Sequence, residues 1–317
     1  MPTPRPLGRS GISIAPLMFG GNVFGWTADE ASSFRLLDAF VAGGFNAIDT
    51  ADIYSTWVPG HQGGESETII GRWLAARKTR EKVIIATKVG SDMGAAGKGL
   101  SKAHLTSAVE ATLKRLQTDH IDLYQSHQDD ATVPVEETLE TYAGLIKAGK
   151  VRAIGASNFT AERMAQSQAA SKKLGVPRYE TLQPEYNLVA RTGFEGPLQD
   201  FCEREEIGVI TYFSLASGFL TGKYRSAADL GKSPRGGGMK ALLDTRGLAI
   251  LAALDAAAAG HKATPAQVAL AWLLTRKAVA APIASATSVV QLEEIMGGAR
   301  LTLDAETVAA LTRASAG

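Results

Sequence analysis

The chain has 317 residues, of which 45% are hydrophobic and 21% are charged, and its formal net charge is +1 at pH 7. This composition can supply a large hydrophobic core and excludes a mainly disordered chain. The near-zero charge and the lack of any basic block argue against nucleic acid or an anionic membrane as the main partner.

Other features of the sequence concern location. No apolar run approaches the length of a membrane span, and the N-terminus Met1-Pro2-Thr3-Pro4-Arg5 lacks the apolar core of a signal peptide. Cys202 is the single cysteine, so an internal disulfide is excluded and a reducing compartment is suitable. We therefore expect a cytoplasmic protein without membrane association.

In chain order, a short hairpin precedes apolar strands that alternate with amphipathic helices. The hairpin spans residues 5–14, with Gly8 and Gly11 at its turn. Eight apolar runs that end in polar or small residues are predicted strands: 15–21, 45–49, 83–88, 121–127, 151–158, 181–183, 208–212 and 279–284. Apolar residues at helical spacing predict helices between them: 29–42, 65–78, 102–116, 135–148, 161–174, 248–260 and one that opens at Thr264.

This alternation predicts parallel β-α-β units and, with eight strands, a closed (β/α)8 TIM barrel. We expect an N-terminal β-hairpin, extra C-terminal helices and a single domain over residues 1–317. An open doubly wound sheet is the other possible fold, but no Gly-x-Gly-x-x-Gly follows the first strand. The glycine- and serine-rich stretches 91–99 and 227–238 are interpreted as long loops above the active site.

Polar side chains collect where the predicted strands end, and in a barrel these ends meet at one rim. A lysine beside a tyrosine favours the phenolate, so we expect Lys88 to lower the pKa of Tyr54 towards neutral pH. Asp49 would hold the lysine, and His127 can polarise a carbonyl oxygen. These four residues fit proton donation to a carbonyl that accepts a hydride. The set at the rim is Asp49, Tyr54, Lys88, His127, Ser157, Asn158, Gln183 and Tyr212.

A metal-dependent hydrolase is the competing interpretation, because 127–130 reads His-Gln-Asp-Asp. The other four histidines fall in loops or helices rather than at predicted strand ends. We therefore expect no metal. Asp52, although close to Asp49, is interpreted as structural.

Several motifs, in this order and spacing, resemble the aldo-keto reductases, in particular the bacterial branch similar to voltage-gated potassium channel β-subunits. The resemblance covers the whole chain. The motifs are Leu7-Gly8-Arg9-Ser10-Gly11, Gly44-Phe45-Asn46-Ala47-Ile48-Asp49-Thr50-Ala51 with Tyr54, Gly64-Glu65-Ser66-Glu67 with Gly71, Thr87-Lys88, Ile121-Asp122-Leu123-Tyr124-Gln125-Ser126-His127, Gly155-Ala156-Ser157-Asn158-Phe159, Gln183-Pro184-Glu185-Tyr186-Asn187 and Leu220-Thr221-Gly222-Lys223-Tyr224.

The resemblance implies an NADP-dependent oxidoreductase that interconverts aldehydes or ketones with alcohols. It implies that Tyr54 is the general acid, Lys88 its partner, Asp49 the counter-ion and His127 the group that orients the carbonyl. It assigns the nicotinamide carboxamide to Ser157, Asn158 and Gln183, and the ring that stacks on the nicotinamide to Tyr212. Further cofactor contacts are implied for Gly21, Ser214, Leu215, Lys223, Arg235, Ser285, Gln291 and Glu294. Aromatic residues on loops beside the site, Phe24, Trp26 and Trp57, are candidates for the substrate pocket.

Two segments depart from the family pattern. Relatives commonly have Tyr-Ser-Pro-Leu where this chain has Tyr212-Phe213-Ser214-Leu215, and a base after the eighth strand where it has 284–291 without one. Hydroxyls of Ser285, Thr287 and Ser288, or Arg235 on the long loop, can serve the phosphate instead. NADP is the expected cofactor and NAD the alternative.

A second function class stays open, namely a nicotinamide-binding redox sensor or auxiliary subunit with little turnover. The four catalytic positions are intact, which favours the enzyme. The sequence does not indicate the substrate beyond a small carbonyl or alcohol, the direction of reaction or the oligomeric state.

Overall fold

Eight parallel strands close into a barrel in the computed structural model, which describes residues 3–233 and 235–316. Neighbouring strands follow chain order, and the last strand pairs with the first to complete the closure. The barrel strands are β3 (Met18–Gly20), β4 (Ala47–Asp49), β5 (Ile84–Val89), β6 (Ile121–Ser126), β7 (Val151–Ser157), β8 (Tyr179–Gln183), β9 (Gly208–Thr211) and β10 (Val279–Ala284). This confirms the predicted (β/α)8 barrel.

Helices surround the barrel and connect its strands. They are α1 (Glu30–Ala42), α2 (Glu65–Arg77), α3 (Lys102–Leu116), α4 (Val135–Lys147), α5 (Ala161–Leu174), α6 (Pro197–Glu205), α7 (Thr245–His261), α8 (Pro265–Leu274), α9 (Val289–Gly298) and α10 (Ala305–Ala314). The start of α8 illustrates why the boundaries were readable. The Thr264 side chain accepts a hydrogen bond from the backbone N–H of Gln267, and Gln267 Oε1 accepts one from the backbone N–H of Thr264, with Pro265 in the first turn.

The N-terminal hairpin closes the bottom of the barrel. β1 (Arg5–Pro6) pairs antiparallel with β2 (Ser13–Ile14), and Gly8 adopts φ +58° in the turn between them. Its apolar side chains pack with residues from inside the barrel; this cluster is Leu7, Ile12, Ile14, Met18, Ala47, Ala86, Leu123, Ala153, Ile210, Ala280, Ala281 and Ile283. The lower barrel is therefore filled with apolar groups.

The long loops predicted at 91–99 and 227–238 contain short 3-10 segments, at Gly94–Ala96, Ala227–Lys232 and Gly236–Leu242. Pro234, in the second of these loops, lies outside the described residues, as do Met1, Pro2 and Gly317. In the described part of the chain, no helix has both the length and the apolar character needed to cross a bilayer. The assignment of residues 1–317 to one domain stays a prediction.

Candidate active site

The ends of β4 and β5, with the turn that follows β4, bring a carboxylate, a buried lysine and a tyrosine together. Lys88, in β5, has a fully buried side chain and donates hydrogen bonds to Asp49 Oδ2 at 2.6 Å and to the Thr50 carbonyl at 2.8 Å. Its third neighbour is the Tyr54 hydroxyl, with Nζ and Oη 3.3 Å apart. The ammonium thus has three oxygen partners, as an ion pair without access to water requires.

The charge states of this group follow from burial and pairing. Burial by itself lowers the pKa of Lys88, but the nearby Asp49 and Tyr54 outweigh it, so the pKa is raised and the lysine stays charged. Burial raises the pKa of Tyr54, and the positive charge of Lys88 opposes this only in part. The expected net lowering of the Tyr54 pKa is therefore wrong for this structure, because loss of hydration outweighs the lysine. The raised pKa favours the neutral phenol.

His127 follows β6 and stands beside the tyrosine, with the two ring centroids 6.1 Å apart. Burial and the charge of Lys88 lower the pKa of His127 to about 3, so the imidazole is neutral. Its Nδ1 is buried and has no hydrogen-bond partner among the described residues. A neutral ring carries one N–H, and we assign it to Nε2, which leaves a donor for an oxygen in the cleft.

A chain of amides and hydroxyls connects this group to the neighbouring strand ends. Gln183 donates from Nε2 to Asp49 Oδ1 at 2.8 Å, and the backbone carbonyl of Gln183 accepts from Ser157 Oγ at 2.8 Å. Asn158 donates to the His127 carbonyl at 2.9 Å and accepts from the Tyr212 hydroxyl at 2.9 Å. The residues predicted to hold the carboxamide therefore also fix the positions of Asp49 and His127.

These side chains line one cleft of about 830 Å³ at the carboxyl ends of the strands. The cleft brings together most residues predicted for the site, which are Trp26, Asp49, Tyr54, Trp57, His127, Ser157, Asn158, Gln183, Tyr212, Ser214, Leu215, Lys223, Arg235, Ser285, Gln291 and Glu294. Lys88 lies beneath its surface, in contact with Tyr54.

Besides Lys88, two predicted residues do not line the cleft. Phe24 is fully buried and packs edge-on against Phe19 with 5.3 Å between centroids, so its assignment to the substrate pocket is wrong. Gly21 is buried in the 3-10 turn Gly21–Val23, where a Cβ would come within 2.9 Å of Ser66 Oγ. Its role is close packing beneath the site rather than a wall of the cleft, which corrects its assignment to the cofactor.

Elsewhere in the cleft, polar and charged side chains contact one another or a neighbouring ring. Ser285 donates from Oγ to Asn22 Oδ1 at 2.6 Å, which joins the ends of β10 and β3. Gln291 Oε1 accepts from the backbone N–H of Thr287 at 2.9 Å. Arg235 lies with its guanidinium carbon 5.0 Å from the centroid of the Trp26 ring.

Asn22, Phe213 and Lys232 are among the lining residues that the sequence did not indicate. Lys232 donates a hydrogen bond to the Lys223 carbonyl at 3.0 Å and contacts Asp229 at 2.7 Å. In the sequence, Lys232 could have been found from its position on the same loop as Arg235. Within residues 3–233 and 235–316, no three His, Cys, Asp or Glu side chains form a group suited to a metal ion.

The sequence profile of the Aldo/keto reductase family matches residues 16–316, which is nearly the whole chain. The chain belongs to the aldo/keto reductase family. It is 35% identical over 309 residues to a Bacillus subtilis protein named uncharacterized oxidoreductase YrpG, covering 95% of this chain and 92% of the relative. It is 32% identical to Aldo-keto reductase AFTS1 of Alternaria alternata, with 95% and 88% covered. It is also 32% identical to Protein tas of Escherichia coli, with 95% and 94% covered. The resemblance drawn from the motifs is thereby confirmed.

Proposed function

We propose that this aldo/keto reductase is an NADP-dependent oxidoreductase that reduces a small aldehyde or ketone to an alcohol, or catalyses the reverse reaction. Family membership supports the oxidoreductase role, and the site supports the chemistry. One observation carries the proposal. Tyr54 faces the cleft, and its hydroxyl lies 3.3 Å from Nζ of Lys88, which is paired with Asp49.

The cleft has the chemical groups that a nicotinamide dinucleotide needs. One end offers amide and hydroxyl groups of Ser157, Asn158 and Gln183, beside the ring of Tyr212. The cleft is also lined by the cations Lys223 and Arg235, which suit phosphates. A volume of about 830 Å³ lies within the range of cofactor pockets. The residues present therefore fit the cofactor, and when bound its reduced nicotinamide supplies the hydride to the carbonyl carbon.

The chain's own residues supply the proton and the orientation. Tyr54 donates its phenolic proton to the carbonyl oxygen as negative charge develops there, and Lys88 stabilises the phenolate that remains. His127, neutral and with Nε2–H free in our assignment, donates a hydrogen bond to the same oxygen. Asp49, held by Gln183, keeps Lys88 in position. In the reverse direction the phenolate accepts the proton of the alcohol.

The choice of NADP over NAD rests on cations that line the cleft. Residues 284–291, which begin at the last residue of β10, contain no base, but Lys223, Lys232 and Arg235 all line the cleft from the segment after β9. These side chains are suited to the extra 2′-phosphate of NADP. A cytoplasmic location remains an expectation from the sequence.

Tyr54→Phe tests the proposal. We expect kcat to fall by about 10²- to 10⁴-fold, because one general acid contributes that much. The Kd of NADP⁺, measured by calorimetry, is expected to change by less than about twofold, since the hydroxyl contacts Lys88 rather than the cofactor's end groups. The matched control is Tyr142→Phe, because that buried hydroxyl bonds Ser126 outside the cleft. Unchanged turnover in Tyr54→Phe would refute the role of Tyr54. Tight cofactor binding without turnover on any carbonyl would favour the redox sensor.

A further inference from the structure

Phe213 is an aromatic residue held in an unfavourable place at the edge of the cleft. It lines the cleft, its side chain is 48% exposed, and its backbone has φ +50°. This left-handed conformation is rare for a bulky side chain and costs free energy that the surrounding structure must supply.

The backbone around Phe213 is fixed from two directions. The Phe213 carbonyl accepts hydrogen bonds from Asn187 Nδ2 at 2.9 Å and from the Ala216 N–H at 2.6 Å. Asn187 is fully buried, and its Oδ1 accepts from the N–H of Val189 at 2.8 Å. A strained conformation held by such bonds keeps the ring at the cleft instead of letting it turn into the core.

The ring of Phe213 is steeply inclined to the ring of Tyr212. It stands at 73° to the ring of Tyr212, with 5.2 Å between centroids. Tyr212 is the ring expected beneath the nicotinamide, and the Phe213 ring contacts it edge-on in the same cleft. An exposed ring in this position can contact the group attached to the carbonyl carbon.

Trp57 provides a second exposed ring at the same cleft. It is 46% exposed and lies edge-on to Tyr54, with 5.6 Å between centroids. Among the described large apolar side chains that are exposed, Trp57 and Phe213 are the aromatic ones, and both line the cleft. Exposed aromatic surface concentrated at one concave site indicates a ligand that covers it.

We propose that Phe213 is a specificity-determining residue that, together with Trp57, selects carbonyl compounds with a bulky apolar substituent, aromatic above all. The inference rests on the proposed function and adds the substrate class to it. Burial of both rings by the substituent gives a favourable contact that a short aliphatic aldehyde cannot provide. Phe213 and Trp57 then select the substituent, while Tyr54 and His127 act on the carbonyl group alone.

The test compares 2-naphthaldehyde with propanal at saturating NADPH. The ratio of their kcat/KM values is expected to fall by about tenfold or more in Phe213→Ala, mainly through KM for the aromatic aldehyde, since a few missing apolar contacts change specificity by that much. Trp57→Ala is expected to shift the ratio in the same direction. Phe213→Leu, which keeps apolar bulk, is expected to retain most of the preference.

Leu248→Ala is the matched control, because Leu248 is 43% exposed but does not line the cleft, and it is expected to leave the ratio unchanged. An unchanged ratio in Phe213→Ala, or equal losses on both aldehydes, would overturn the inference. A weaker Kd for NADP⁺ with an unchanged ratio would assign Phe213 to the cofactor and overturn it as well. A wild-type protein that binds cofactor but reduces neither aldehyde contradicts the proposed function, and the inference with it.

Discussion

The two ends of the cleft are built from different parts of the fold. At the catalytic end, the strands of the barrel supply Asp49, Lys88 and Gln183. The ammonium group of Lys88 has three oxygen partners within 3.3 Å. At the other end, Lys223 and Arg235 come from the irregular segment between β9 and α7. Strand pairing fixes the first set, whereas loop conformation decides where the second set lies.

This difference indicates how the two tasks of the enzyme are separated. Proton transfer needs atoms held within a few tenths of an ångström, and buried strand ends can hold them. Phosphate recognition tolerates more variation, because long cationic side chains can adjust to the ligand. The catalytic end therefore combines chemistry with stability, and the loop end affects binding alone. Substitutions can break or sharpen this contrast.

The largest effect is expected for Lys88→Met. It leaves Asp49 buried without its cation, which should lower the free energy of unfolding by roughly 3–5 kcal/mol. It also removes the charge that stabilises the Tyr54 phenolate, so kcat should fall by about 10²-fold or more. Urea unfolding and steady-state kinetics measure the two losses.

Lys223→Met is the comparison for the loop end. Lys223 is exposed, so the free energy of unfolding should change by less than about 1 kcal/mol.

In Lys88→Met, the further change Asp49→Asn should restore part of the stability but none of the activity, because it removes the unpaired charge without replacing the lysine. Equal free energies of unfolding for Lys88→Met and Lys223→Met would contradict the expected difference between the two ends.

Asp52 makes the catalytic end sensitive to pH. Its carboxyl is buried, its Oδ1 lacks a hydrogen-bond partner in the described chain, and burial together with the charge of Glu67 raises its pKa to about 7. The folded protein thus keeps a proton that the unfolded chain releases near pH 4. Stability falls as the pH rises from about 4 to about 7 and is constant above that range, as far as this group is concerned.

Asp52→Asn replaces the protonated carboxyl with a neutral amide and should remove this dependence. Its free energy of unfolding relative to wild type should increase by roughly 1–3 kcal/mol between pH 5 and pH 8. Denaturant unfolding at a series of pH values measures the difference. Asp255→Asn, at an exposed carboxylate paired with Arg225, should show no such increase. A constant difference across the range would mean that Asp52 is ionised throughout.

The sequence was most informative where the fold constrains position. Asp49, Lys88 and His127 were found because each ends an apolar run, and parallel strands bring those ends to one rim. Phe24 and Trp26 show the limit, because they are two residues apart on a loop, one in the core and one at the cleft. No periodicity distinguishes them.

The charge state of Tyr54 was likewise beyond the sequence. The lysine partner was evident from the residue types, but the direction of the pKa shift depends on how much water the fold removes from the hydroxyl. Lys232 was missed for the same kind of reason, since only the course of the loop brings it to the cleft. The burial of a side chain and the conformation of a loop both depend on packing among distant segments, and local sequence patterns do not encode that packing.

The smallest effect is expected at the loop end, for Arg235→Ala. Burial lowers the pKa of Arg235, and its guanidinium lies against the Trp26 ring while lining the cleft. If it meets the 2′-phosphate, the Kd of NADP⁺ should rise about tenfold and that of NAD⁺ less than about twofold, since only NADP⁺ carries that group. Calorimetry with both cofactors measures the two constants, and Arg225→Ala, at a surface pair with Asp255, should alter neither. Equal weakening of both would place Arg235 at a part the cofactors share and would leave the preference for NADP to Lys223 and Lys232. Stability should be nearly unchanged in either case, because a loop cation that lines an open cleft supports no buried partner.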